Sequence, residues 1–163
     1  MCPENETPTP LMNRVRLQAE ILVPILQRLR AEFGTAEANA LIYPVLRDCT
    51  RTYISDLAST ETGDPIEDWH RTSENLEAKF QGDVEYEIVR SDDKALELNV
   101  SSCRYADFFR RIGEPELGEI LTCELDNHIA DRAGQLLTFS RSNTLMRGGR
   151  NCPFRYRFLT DED

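Results

Sequence analysis

Apolar residues recur at helical spacing from about Pro10 to Phe33: Leu11, Val15, Leu22, Ile25, Leu26, Leu29 and Phe33 fall on one stripe, and Gly34 stops the run. Pro24 inside the stripe predicts a kink. Thr35 caps a second helical stretch to about Ser59, with a bend expected at Pro44, and "ETGDP" reads as the next loop. A third, weakly amphipathic helix is predicted from about Pro65 to Phe80.

After "QGD" the period drops from 3.6 to 2. Val84, Tyr86 and Ile88 alternate with Glu85 and Glu87, and beyond the "SDD" turn Leu96, Leu98 and Val100 alternate with Glu97 and Asn99. That is a hairpin with one wet face. A short helix from about Cys103 to Ile112 ends at Gly113, and Pro115 opens another to about Asp131. "QLLTFSRSNTLM" and "CPFRYRF" then form a second hairpin across "RGGRN". The order αααββααββ predicts an α+β fold, an antiparallel four-stranded sheet of two hairpins packed against helices. Residues 1–8, polar and proline-rich, read as a disordered arm, and residues 9–163 as a single domain.

Composition narrows the partners. The chain has 163 residues, with 19 Lys+Arg against 29 Asp+Glu, a net charge of -10. Such an acidic balance argues against nucleic acid and against an anionic membrane surface, both of which require a basic footprint. "ILVPIL" is broken by Pro24 and "MCPENETPTP" lacks an apolar signal core, so no membrane span or secretory signal is read and a cytoplasmic location is expected. Five cysteines, at positions 2, 49, 103, 123 and 152, fit reduced thiols better than a disulfide framework. They form no close ligand pairs, which argues against zinc; no cofactor is expected. A homo-oligomer is left open, since the kinked first helix has two ways to pack.

Cys103 follows "NVSS" at the first turn of a helix, where unpaired amides and the dipole can lower a thiol below its ordinary value of about 8.5. The alternative is a small residue packed at a strand-to-helix corner. In "TCELDNH", Cys123 and Asp126 are three apart on a flank shared with Asn127 and Ala130, polar and small enough for a site wall or simply solvated; His128 is read as a core-edge residue. Alternation places Arg141 with Leu137, Phe139 and Leu145, so an arginine stands on the apolar face. It needs a partner there, either a ligand carboxylate or an internal acid, unless a bulge turns it outward. Cys152 shares the inward face of the last strand with Phe154, Tyr156 and Phe158.

"CRYADFFRRIGEPELGEILTCELD" followed by "FSRSNTLMRGGRNCPFRY" resembles the L-2-amino-thiazoline-4-carboxylic acid hydrolase family. The matching positions are Cys103, the Leu117-Gly118 step before Cys123 and Asp126, and then Arg141, Thr144, Gly148, Cys152, Phe154, Arg155 and Tyr156. Ser142, where threonine would follow the arginine, and Asn143 depart from the pattern and bear on the substrate rather than on membership. The resemblance covers about 60 residues and draws nothing from the first 80. It implies a small-molecule substrate: hydrolytic opening of a cyclic amidine at a carbon-nitrogen bond, 2-amino-thiazoline-4-carboxylate giving N-carbamoyl-cysteine. Cys103 or Cys123 would attack the ring carbon between sulfur and nitrogen, or Asp126 would activate water directly. Arg141 would hold the carboxylate, Cys152 would line the pocket, and Thr144 and Tyr156 would donate hydrogen bonds. The competing readings are a binding module without catalysis and a thiol or metal sensor.

Overall fold

A computed structural model describes residues 10–58 and 63–159. Helices α1 (Leu11–Phe33) and α2 (Thr35–Ala58) form a hairpin at Gly34, whose φ of 86° suits a residue without a Cβ. Both helices run through their internal prolines. Along α1 the buried line is Leu11, Val15, Ala19 and Leu26, whereas Ile25 and Phe33, expected on that stripe, lie 46% and 55% exposed. Helix α3 (Pro65–Glu77) starts at Asp64, whose carboxylate accepts from the amides of Ile66 and Glu67, and ends short of Phe80. The expected arm at residues 1–8 and part of the "ETGDP" loop lie outside the described residues.

Strands β1 (Val84–Ser91), β2 (Ala95–Cys103), β3 (Leu137–Arg141) and β4 (Cys152–Phe158) make one antiparallel sheet in the order β1-β2-β4-β3. The two hairpins join through β2 and β4, which set Leu96, Leu98 and Val100 opposite Tyr156, Phe154 and Cys152. These six residues form the inner face, and Trp69 of α3 lies against it with its ring 5.1 Å from that of Tyr156. On the outer face Arg155 and Arg157 converge on Glu97. Edge strand β1 carries two register shifts and is exposed along nearly its whole length, so the face expected to be buried leaves Tyr86 and Ile88 at 42% and 59% exposure.

Two predicted elements differ. The strand expected to reach Met146 stops at Arg141, because Thr144 folds the chain into a turn: its carbonyl accepts from the amides of Arg147 and Gly149. Gly149 fits there because a Cβ would stand about 2.1 Å from the Asn143 side chain. The helix expected from Pro115 to Asp131 is three pieces: α5 (Pro115–Gly118), a π-turn (Glu119–Cys123) and α6 (Glu124–Arg132), with α4 (Arg104–Arg111) before them. Among the described residues no helix is long and apolar enough to cross a membrane, and Cys49, Cys103, Cys123 and Cys152 are free thiols.

Candidate active site

The inner sheet face and α3 enclose a cavity of about 310 Å³, and the groups that carry chemistry collect at one end of it. Each arrives by a different route. Cys103 ends β2 and caps α4. Its position is fixed by buried Asp83, whose carbonyl accepts from the Arg104 amide at 2.9 Å and whose carboxylate binds Arg104 and the Tyr105 hydroxyl at 2.7 and 3.2 Å. Cys123 closes the π-turn and Asp126 lies in the first turn of α6. Arg141 is the last residue of β3, while Cys152 and Tyr156 come from β4.

The π-turn stems from a close approach. A Cβ on Gly118 would lie about 2.6 Å from the Phe109 ring and 2.7 Å from Met146, so only glycine lets α5 seat against α4 and the 144–149 turn. The Thr122 hydroxyl donates to the Gly118 carbonyl at 2.6 Å across the widened turn. One extra residue in the turn rotates α6 by about 100° relative to a regular helix. Cys123 and Asp126 therefore face the cavity together, while Asn127, expected on their flank, is exposed on the other side and Ala130 is buried.

Arg141 enters as an arginine on the apolar face, as alternation requires, and its partner is internal. It donates to Asp126 at 3.0 Å and to the Cys123 carbonyl at 3.1 Å, and it lies over the Phe154 ring at 5.0 Å. Further guanidinium N–H groups stay available for a ligand. Cys123 and Arg141 also line a polar cleft of about 380 Å³ on their other side, with Arg47, Glu124 and His128.

Burial dominates the electrostatics. It pushes the Asp126 carboxyl up to about 6 against the pull of Arg141, a value poised for proton exchange near neutrality. It also pushes the Cys123 thiol up to about 12, with Arg141 opposing. Cys103 goes up to about 11 by burial, with the amides of Ala106 and Tyr105 opposing. The helix start thus lies where expected, but it does not lower the resting thiol: the amides of a short helix are outweighed by desolvation. Burial raises Cys152 as well, and its sulfur accepts from the Leu145 amide at 3.1 Å.

Six of the seven expected site residues, Cys103, Cys123, Asp126, Arg141, Cys152 and Tyr156, line the cavity. Thr144 does not: its hydroxyl is committed to Glu119 at 3.3 Å and accepts from the Arg147 amide at 3.1 Å, which makes it a turn residue. His128 is buried, its Nε2 3.2 Å from the Thr50 hydroxyl. Trp69 and Thr122 were missed. The alternation of β2 could have indicated that its apolar face continues into the cavity; nothing local marks Trp69. Among the described residues no group of three or more His, Cys, Asp or Glu side chains is placed to hold a metal ion.

Fold and cavity together define an α+β protein with thiols, a carboxyl poised near neutrality and an arginine gathered in one largely apolar pocket. The family model described as L-2-amino-thiazoline-4-carboxylic acid hydrolase matches residues 14–156, from α1 to Tyr156 in β4, and the chain belongs to that family. The match extends through the helical half, well beyond the segment that carries the resemblance in sequence. No curated protein matches the chain.

Proposed function

We propose that the protein hydrolyses a cyclic amidine of the 2-amino-thiazoline-4-carboxylate type, with Asp126 as the acid-base group and Cys103 as the nucleophile. The observation that carries this reading is the Asp126–Arg141 pair, a carboxyl held near 6 at 3.0 Å from a guanidinium, beside two thiols in one cavity. Arg141 takes the substrate carboxylate. Neutralising Arg141 in this way weakens its hold on the ionised Asp126, so the carboxylate becomes a better base as substrate binds. Substrate entry thus switches on the base.

Asp126 takes the Cys103 proton and the thiolate adds to the ring carbon between sulfur and nitrogen, the C=N electron pair moving onto nitrogen, from where it re-forms the double bond as the ring sulfur departs. Collapse breaks the bond from that carbon to the ring sulfur, which leaves with the proton held by Asp126. Water then adds to the carbon attached to Cys103, and loss of the Cys103 thiol gives the carbamoyl product. Both substrate nitrogens remain on that carbon. Atom balance therefore puts the broken bond between carbon and sulfur, not between carbon and nitrogen, if N-carbamoyl-cysteine is formed.

The resting gap between the thiol at about 11 and the carboxyl at about 6 makes unassisted proton transfer about 7 kcal/mol uphill, so little thiolate exists before substrate arrives. The polar cleft behind Cys123 and Arg141 offers water a way in while substrate fills the other side. A thiol reagent distinguishes the bonds: carbon-sulfur cleavage releases one new thiol per turnover, whereas carbon-nitrogen cleavage with loss of the amino group releases ammonia and no thiol. Turnover that survives full alkylation of Cys103 would leave direct attack by water as the route.

A further inference from the structure

The cavity has two chemically different ends. At the inner end stand Cys103, Cys123, Asp126 and Arg141; much of the remaining wall is apolar, with Trp69, Phe80, Ile88, Leu96, Leu98 and Phe154, and α3 adds His70 and Ser73. A bare amino-thiazoline carboxylate is a small polar ring that engages the inner groups and leaves this outer wall against water. Trp69 belongs to the core, but Leu96 and Leu98 are only partly buried and Ile88, on the edge strand, is 59% exposed. Apolar side chains on an exposed edge strand invite association, and edge strands ordinarily carry charges instead. The rim itself is acidic, with Glu74 and Glu77 on α3 and the Tyr86 hydroxyl bonded to Glu77.

Resting on the hydrolase reading above, we propose that the substrate carries a neutral apolar tail, its ring and carboxylate at Arg141 and Asp126 and its tail running across the sheet over Phe154 and Leu98 to Ile88. The acidic rim sets the sign: a tail ending in a second carboxylate would meet Glu74 and Glu77, whereas a hydrocarbon end leaves them solvated. A cavity of about 310 Å³ has room for such a molecule, at the small end of the range of roughly 300–1,000 Å³ found for ligand pockets. Specificity then divides between the ends, the inner one choosing the reactive ring and the outer one the length of the tail.

Trp69 is the chain's one tryptophan and lies in the wall, so its fluorescence reports occupancy directly. The probes are straight-chain carboxylates from butanoate to decanoate and the matching alcohols, titrated at about pH 6, where the probes are ionised and the Asp126 carboxyl is about half protonated, so that it competes less for the Arg141 guanidinium. Kd should fall roughly fourfold per methylene, the equivalent of ~0.8 kcal/mol, until the tail reaches Ile88. The alcohols should bind more weakly at every length. Ile88→Asp, at an exposed position that does not threaten folding, should weaken only the longest members. A Kd that does not change with length, or a fall identical in Ile88→Asp, would overturn the tail. The titration reads binding and not turnover: a flat series in a protein that opens the thiazoline removes the tail alone, and a steep one in a protein that opens nothing removes the hydrolase alone.

Discussion

Asp126→Asn should change how stability depends on pH, and in the direction opposite to an ordinary salt bridge. The Asp126 carboxyl stands at about 6 in the folded protein against 3.8 for an unperturbed aspartate, a rise of about 2.2 units. Ionisation is therefore harder in the folded state than in the unfolded one. The associated stability is fully present below pH 3.8, where both states are protonated, and is lost as pH rises through about 6. At 1.36 kcal/mol per unit the loss is about 3 kcal/mol, a ceiling because the side chain keeps 21% of its exposure toward the cavity. In D126N the group does not titrate, so wild type minus variant isolates it from every other carboxylate. Urea unfolding of both proteins at about pH 4 and about pH 7, followed by Trp69 fluorescence, should show wild type losing up to about 2.4 kcal/mol relative to D126N, since at pH 4 the unfolded carboxyl is already more than half ionised. With a slope of roughly 2 kcal/mol/M the relative midpoint moves by about 1.2 M. A difference that does not move would refute the raised carboxyl. A wild type that gains stability over this range would mean that Arg141 wins over burial, and Asp126 would then be a poor proton acceptor.

The same carboxyl predicts that kcat/KM for the thiazoline rises with pH through about 6 and levels off above it, and that D126N loses both the step and most of the turnover, read by initial rates across pH. Cys103→Ser should abolish turnover while leaving the melting temperature within a few degrees, and iodoacetamide should label resting Cys103 slowly at neutral pH, with a rate still climbing beyond the ordinary thiol midpoint of about 8.5. Gly118→Ala should cost about 1–3 kcal/mol in urea unfolding and lower activity, since its methyl would overlap Phe109 and Met146 and move the π-turn that carries Cys123. Glu97→Gln, on the outer face with Arg155 and Arg157, should leave thiazoline turnover unchanged.

Periodicity was enough for the sheet, because each change of period in the sequence marks a real change of element. Leu96, Leu98 and Val100 alternate as β2 requires, and Cys152, Phe154 and Tyr156 do so in β4, so the inner face could be read directly. Arg141 was legible for the same reason: a charge on an apolar stripe requires a partner. The identity of that partner was not legible, because Asp126 reaches it only after the π-turn rotates α6, and no residue pattern separates an i+5 turn from a regular helix. The exposure of β1 was hidden too: Tyr86 and Ile88 alternate like core residues but belong to an edge strand, and strand order is settled by the pairing of β2 with β4, more than 50 residues apart. Thr144 was expected in the site from the family resemblance, and its run reads as strand; the turn that takes it away depends on contacts with Glu119 and Arg147 that local sequence does not encode.

The most direct test is incubation of the purified protein with L-2-amino-thiazoline-4-carboxylate, with mass spectrometry to detect the gain of one water and D126N alongside. Wild type is expected to add water and D126N, folded by its circular dichroism, is not. Equal gain in both proteins would contradict Asp126 as the acid-base group, and gain in neither would contradict this ring as the substrate.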